Sequence, residues 1–243
     1  MDLLPSCTLV ASGDLGFGLT DPYDAHAYLV TAGDAAVLVD TGCGRATERV
    51  ARRIEEALRG RFLAAILLTH GHVDHAGGAA ELAAHFGAPV HAHPVAAARI
   101  AAGDERAIGL EAGRRDGVYP ADTLLRPLPG ILPAGDLELG DLRVDAVPSP
   151  GHSDDSVAWA IRLPSGLALF TGDVVFAQGR VAILDTADTD AAALARSIRA
   201  LRALEPDHLF PGHGAVAVTR AHVHLDAAVA AFDAGRRPQK LVA

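Results

Sequence analysis

The chain has 243 residues, half of them hydrophobic and 21% charged, with 25 Gly and 14 Pro, which excludes a disordered chain and a disulfide-stapled miniprotein. Its 21 Lys and Arg stand against 30 Asp and Glu, a formal charge of -9, so the chain has no electrostatic footprint for phosphate backbones or anionic membranes. Nucleic acid is not an expected partner, and neither is a membrane, because no stretch reaches the roughly 18 uninterrupted apolar residues of a span.

The opening Met1-Asp-Leu-Leu-Pro-Ser-Cys7 has no basic segment followed by an apolar core, so a cytoplasmic location is expected. Cys7 and Cys43 are then expected to be free thiols. Repeats, low-complexity runs and Ser/Pro-rich linkers are lacking, so residues 1–243 are read as one domain. Twelve His against three Tyr and one Trp is the unusual balance, and it directs attention to metal ligands.

In chain order, Ala27 to Val30 and Ala36 to Val39 read as strands, the second closed by Asp40-Thr-Gly. From Thr47, the spacing of Val50, Ile54, Ala57 and Leu58 predicts a helix that Gly60 ends. Phe62 to Leu68 is a continuous apolar run, the pattern of a strand buried on both faces, and Thr69-His70 marks its exit. A helix follows over Ala79 to Phe86. The stretch 97–122, mixing Gly, Ala and charge, is a candidate lid or substrate loop, with a solvated helix as the rival reading. Two hairpins are predicted next, Leu137–Leu139 with Leu142–Val147 and Val157–Leu163 with Leu167–Phe170. Leu194, Ile198 and Leu201, and then Thr219 to Phe232, mark two more helices.

The chemistry concentrates in Thr69-His70-Gly71-His72-Val73-Asp74-His75, three imidazoles and a carboxylate at a strand-to-helix turn. His70 and His72, two apart on an extended exit, can point the same way, while Asp74 and His75 can face a second point nearby. By chance the pattern should occur in roughly three of a thousand chains of this composition. Three later turns each carry one ligand-type residue next to Gly: Ser149-Pro-Gly-His152, Thr171-Gly-Asp173 and Pro211-Gly-His213. Other polar residues carry less. His91 and His93 alternate with apolar residues on a strand and are read as structural. His26 and Tyr28 are read as packing residues, with substrate contact as the alternative. Cys43 is a small loop residue that could also reach a metal, and His222 and His224 point to different helical faces.

In these motifs and their order, from Ala27 to His213, the chain resembles the metallo-β-lactamase-fold hydrolase superfamily, within it the glyoxalase II-like and lactonase-like branches. The resemblance implies an α/β fold, an αββα sandwich of two mixed β-sheets flanked by helices. It also implies a two-metal site at one edge of the sheets: His70, His72 and His152 on one ion, Asp74, His75 and His213 on the other, Asp173 bridging, and Asp40 fixing a ligand imidazole from behind. Five imidazoles and two carboxylates without a thiolate suit two Zn(2+) ions per chain, with Fe or Mn as alternatives. The implied function is hydrolysis of a small carboxylic ester, thioester or lactone by a metal-bridging hydroxide, with Asp74 as the catalytic residue that orients it and moves its proton. The rivals are a mononuclear non-haem iron oxidoreductase of the persulfide dioxygenase type and a non-catalytic metal-binding module. Against a glutathione thioesterase stands the short tail after His213, and against a β-lactamase stands Asp173, since the antibiotic-degrading relatives lack the bridging aspartate.

Overall fold

Period-two alternation in the strands decides the layering. In the computed structural model, which describes residues 1–241, Val37 and Val39 of β4 (Ala35–Val39) enter one apolar cluster and Ala36 and Leu38 another. Likewise Val157, Trp159 and Ile161 of β10 (Val157–Leu163) turn to the first cluster, and Ala158 and Ala160 to a third. Both strands are apolar on both faces because each sheet is covered on both faces.

The first sheet runs β1 (Asp2–Leu4), β2 (Cys7–Ala11), β3 (Ala27–Ala32), β4, β5 (Phe62–Leu67), β6 (Val90–Ala92) and β7 (Leu132–Pro133) in that order. Its first pairings are antiparallel and those from β4 onward parallel. The second sheet has the order β12 (His208–Pro211), β11 (Gly166–Gly172), β10, β9 (Leu142–Pro148) and β8 (Leu137–Leu139), antiparallel except for β11 with β12. Both sheets are thus mixed. The cluster between them holds Tyr28, Trp159, Phe170 and Phe210. Helices α1 (Thr47–Leu58), α3 (Ala79–Phe86) and α4 (Pro94–Ala102) cover the outer face of the first sheet, and α6 (Ala191–Ala203) and α7 (Ala221–Asp233) that of the second. This is the expected αββα sandwich.

The topology brings chemistry to one edge. Strands β9, β11 and β12 run in one direction, as do β4 and β5, and the segments leaving their C-terminal ends carry the ligand-type residues. At that edge the sheets are tied together: Val157 N–H donates to Thr69 O at 2.7 Å, and Trp159 Nε1 to Leu68 O at 3.0 Å.

The stretch 97–122, read as a lid or substrate loop with a helix as the rival, is part helix and part turn. It contains the rest of α4 and then α5 (Leu110–Arg115), with Ile100, Ile108 and Leu110 buried in the core. Arg114 bonds Glu105 and donates to Thr123 O, and Glu105 accepts Leu125 N–H. Among the described residues no helix is long and apolar enough to cross a membrane.

Candidate metal centre

His70 leaves the end of β5, and His72, Asp74 and His75 follow where the short helix α2 (Val73–Ala76) begins. His152 lies in the turn after β9, Asp173 just past β11 and His213 just past β12. Close approach demands glycine at two of these turns. A Cβ on Gly212 would sit 2.4 Å from His75 Cε1 and 2.5 Å from Asp173 Oδ1, and one on Gly151, at φ 139°, would meet the backbone of Leu194.

The structure brings all seven expected ligand residues together. His70, His72 and His152 form one group, Asp74, His75 and His213 a second, and His70, His75 and Asp173 a third that overlaps both, each with its ligand atoms within 4.8 Å of one another. In the first group, Nε2 of His70 and Nε2 of His152 each lie 3.1 Å from Nδ1 of His72. In the second, Asp74 Oδ2 is 3.1 Å from His213 Nε2 and 3.6 Å from His75 Nε2. Asp173 spans the two: Oδ1 is 3.3 Å from His75 Nε2 and 3.6 Å from His213 Nε2, and Oδ2 is 3.8 Å from His152 Nε2.

Partners outside the groups set which ring nitrogen faces inward. His152 Nδ1 donates to Ala182 O at 3.1 Å and His75 Nδ1 to Asp40 Oδ2 at 2.8 Å, which turns each Nε2 inward. Asp40, itself buried, also accepts Thr69 N–H and Thr69 Oγ1, both at 2.8 Å. His75 Nε2 and Asp173 Oδ1 are buried and have no hydrogen-bond partner. Buried polar atoms are seldom left in that state, and an imidazole nitrogen and a carboxylate oxygen that converge 3.3 Å apart fit a shared cation, which would take the place of a ring proton.

The electrostatics differ between the halves. Burial, with neighbouring imidazoles adding to it, keeps His70 well below the usual histidine range, and burial brings His152 down to about 4. Both are neutral imidazoles, the form that ligates a metal. Burial would also lower His75 and His213, but the Asp74 and Asp173 carboxylates hold both above the ordinary value. Burial would raise Asp74 and Asp173, and the facing imidazoles reverse it, keeping both below the usual carboxylate range.

The residues read as packing or structural take such positions, and the alternatives of substrate contact or metal binding find no support in the geometry. His26 and Tyr28 are buried and brace the His213 turn instead of lining the site mouth: His26 N–H donates to Gly212 O at 2.7 Å, His26 Nε2 to Gly214 O at 3.0 Å, and Tyr28 OH to Pro211 O at 2.6 Å. Cys43 is buried beside Asp21 and Asp24 and belongs to none of the metal-capable groups; burial and the nearby Asp24 push its thiol far up, so it stays protonated. His91 is buried in β6, His93 accepts Val95 N–H at the start of α4, His222 is exposed, and His224 accepts Gln178 N–H.

Sequence reading missed Tyr119. Its hydroxyl donates to Asp74 Oδ1 at 2.9 Å, so the far oxygen of a ligand-type carboxylate is held from the 97–122 stretch. The scarcity of Tyr was the one available signal, since the partner lies 45 residues away. Arg99 of α4 was missed as well; it pairs with Asp154 and Asp155 and so clamps the turn that presents His152. Above the groups opens a cavity of about 400 Å³ whose walls include Ile108, Val118 and Tyr119.

The chain matches the metallo-beta-lactamase superfamily over residues 20–213. It is similar to a probable metallo-hydrolase, YqgX, of Bacillus subtilis, at 29% identity over 195 residues, 79% of this chain and 86% of that one. It is also similar to a hydroxyacylglutathione hydrolase of Anaeromyxobacter dehalogenans, at 34% identity over 60% of this chain but only 47% of that protein. Among solved structures, TTHA1623 in a di-iron-bound form superposes with a TM-score of 0.64 at 29% identity, covering 82% of this chain and 93% of that one.

Proposed function

Because this chain belongs to the metallo-beta-lactamase superfamily, we propose that it is a metal-dependent hydrolase of small carboxylic esters, thioesters or lactones, working with two divalent ions. The observation that carries the reading is Asp173, whose two oxygens face the two ligand groups, one of them buried without a partner. His70, His72 and His152 would hold one ion, Asp74, His75 and His213 the other, with Asp173 shared. A set of imidazoles and carboxylates suits zinc, and a relative solved with two irons keeps iron as the alternative. Such ions supply Lewis acidity to an acyl carbonyl and bring the pKa of water into the neutral range.

The chain's own groups do the rest. Asp74, held at Oδ1 by Tyr119, orients the attacking water and accepts its proton as the water oxygen bonds to the acyl carbon. The acyl–oxygen or acyl–sulfur bond then breaks, and the proton passes to the departing alkoxide or thiolate. Asp40 and Ala182 O keep the His75 and His152 rings in register throughout.

The test is a metal-replete panel of esters, thioesters and lactones with RNA and a β-lactam for contrast. Hydrolysis within the carbonyl set, reduced about a hundredfold or more in kcat by Asp74→Asn, is the expected result. A protein that ignores that set but cleaves RNA or the β-lactam, with the activity lost in His72→Ala, would overturn the reading. Oxygen uptake by a protein with one iron per chain would replace it by the oxidoreductase alternative.

A further inference from the structure

The cavity over the two groups is about 400 Å³, and away from the imidazoles and carboxylates its wall is apolar: Leu15, Ile108, Ala112, Val118, Phe176 and Leu184 line it. Leu15, Val118 and Leu184 are 48, 56 and 42% exposed. Three large apolar side chains left in solvent at one opening are an unusual expense for a surface unless something apolar covers them. A second cavity, sharing Leu15, Asp74, Val118, Tyr119 and His213 with the first, extends the opening toward Tyr23.

Charge is distributed just as unevenly. Among the described residues neither cavity is lined by Lys or Arg, while beyond Asp74 and Asp173 their charged side chains are Asp14, Asp24, Asp116 and Asp185. The arginines nearest in sequence are already paired, Arg114 by Glu105 and Thr123 O and Arg115 by the cavity's own Asp116 at 2.9 Å, so Asp14, Asp24 and Asp185 are the lining carboxylates without an ion-pair partner among the described residues. A carboxylate or phosphate on the non-reacting end of a substrate would lose hydration there, meet like charge and find no cation to pair with. An alkyl or aryl end would instead gain about fourfold in binding for each methylene it buries.

We propose that this site takes an acyl substrate whose non-reacting part is uncharged and apolar, and rejects one that carries a terminal anion. The inference rests on the hydrolase reading above and narrows it. Glutathione thioesters, with two carboxylates and one ammonium, fall on the rejected side, although a relative bears the name hydroxyacylglutathione hydrolase.

The experiment compares p-nitrophenyl hexanoate with the mono-p-nitrophenyl ester of adipic acid on the metal-replete full chain. They share a six-carbon acyl chain, and only the second ends in a carboxylate. The expected result is a kcat/KM at least about tenfold higher for the hexanoate. Val118→Lys, at an exposed position, should shrink that ratio several-fold, and Asp185→Asn should shrink it less. Equal or faster hydrolysis of the adipate ester would overturn the inference and leave the hydrolase reading standing. A ratio unmoved by Val118→Lys would remove the 97–122 wall from substrate selection. Hydrolysis of neither ester would overturn the inference, while the hydrolase reading stands or falls on the wider panel of thioesters and lactones.

Discussion

Asp40 follows β4 at φ 59°, a left-handed conformation that Asp and Asn tolerate better than other side-chain-bearing residues. The turn aims one oxygen at Thr69 N–H and the other at Thr69 Oγ1 and His75 Nδ1. Asp40→Asn should therefore fold, since Asn accepts the same backbone angles, yet it removes the charge that fixes the His75 ring. Metal affinity is expected to fall about 10- to 100-fold in a competition titration against a chelator; unchanged affinity would remove Asp40 from that role. Tyr119→Phe deletes one hydrogen bond to a carboxylate, about 1.5–3 kcal/mol. If Tyr119 orients Asp74, kcat should drop roughly ten- to hundredfold with metal content intact, and near-normal kcat would reduce Tyr119 to a wall residue.

At the scale of elements, residues 108–119 wall the cavity over the ligand groups, and Glu105 is the staple of that stretch. Burial alone would raise the Glu105 carboxyl, but Arg114 and Leu125 N–H hold it below the ordinary glutamate value. A lowered folded value means the stabilisation is complete above the unfolded pKa and fades as pH falls through the folded one. Protection of amides 105–125 against hydrogen exchange, corrected for intrinsic rates, should therefore be flat near neutrality and decline below about pH 4. Glu105→Gln should be less protected near neutrality and lose that part of the decline; an identical profile would contradict the staple. The same elements show where sequence is legible. His70 to His75 are close in the chain and sit where an apolar run stops, so local pattern sufficed. The helix over Ala79–Phe86 and both hairpins were readable because each is specified by its own periodicity and turn residues. Tyr119 on Asp74, Arg99 on Asp154 and His26 on the His213 turn were not, because each pairs residues 45 or more positions apart in directions that only the assembled sandwich defines. The N-terminal strands β1 and β2 escaped because their short apolar runs are too brief to signal a period.

For the whole molecule, the proposed centre is a bridge between sheets. His70, His72, Asp74 and His75 descend from the first sheet, and His152, Asp173 and His213 from the second, so each ligand group draws on both. Each ion bound there would favour the native state by about 2.7 kcal/mol at a hundredfold excess over Kd, which for a chain of this size is roughly 5–10 °C in Tm. Calorimetry before and after chelation should show that shift in the wild type and in His222→Ala, whose exposed side chain lies outside the groups. An unchanged Tm on chelation would count against ligands shared between the sheets.

If Asp173 joins two complete ligand groups, metal stoichiometry shows it most directly. Metal-replete protein, passed over a desalting column and measured for bound transition metal, should hold close to two ions per chain. His213→Ala should retain about one, held by His70, His72 and His152, while Asp173→Ala should lose occupancy at both positions. A wild type that keeps one ion per chain, or an Asp173→Ala variant that keeps two, would show that Asp173 does not bridge two ions.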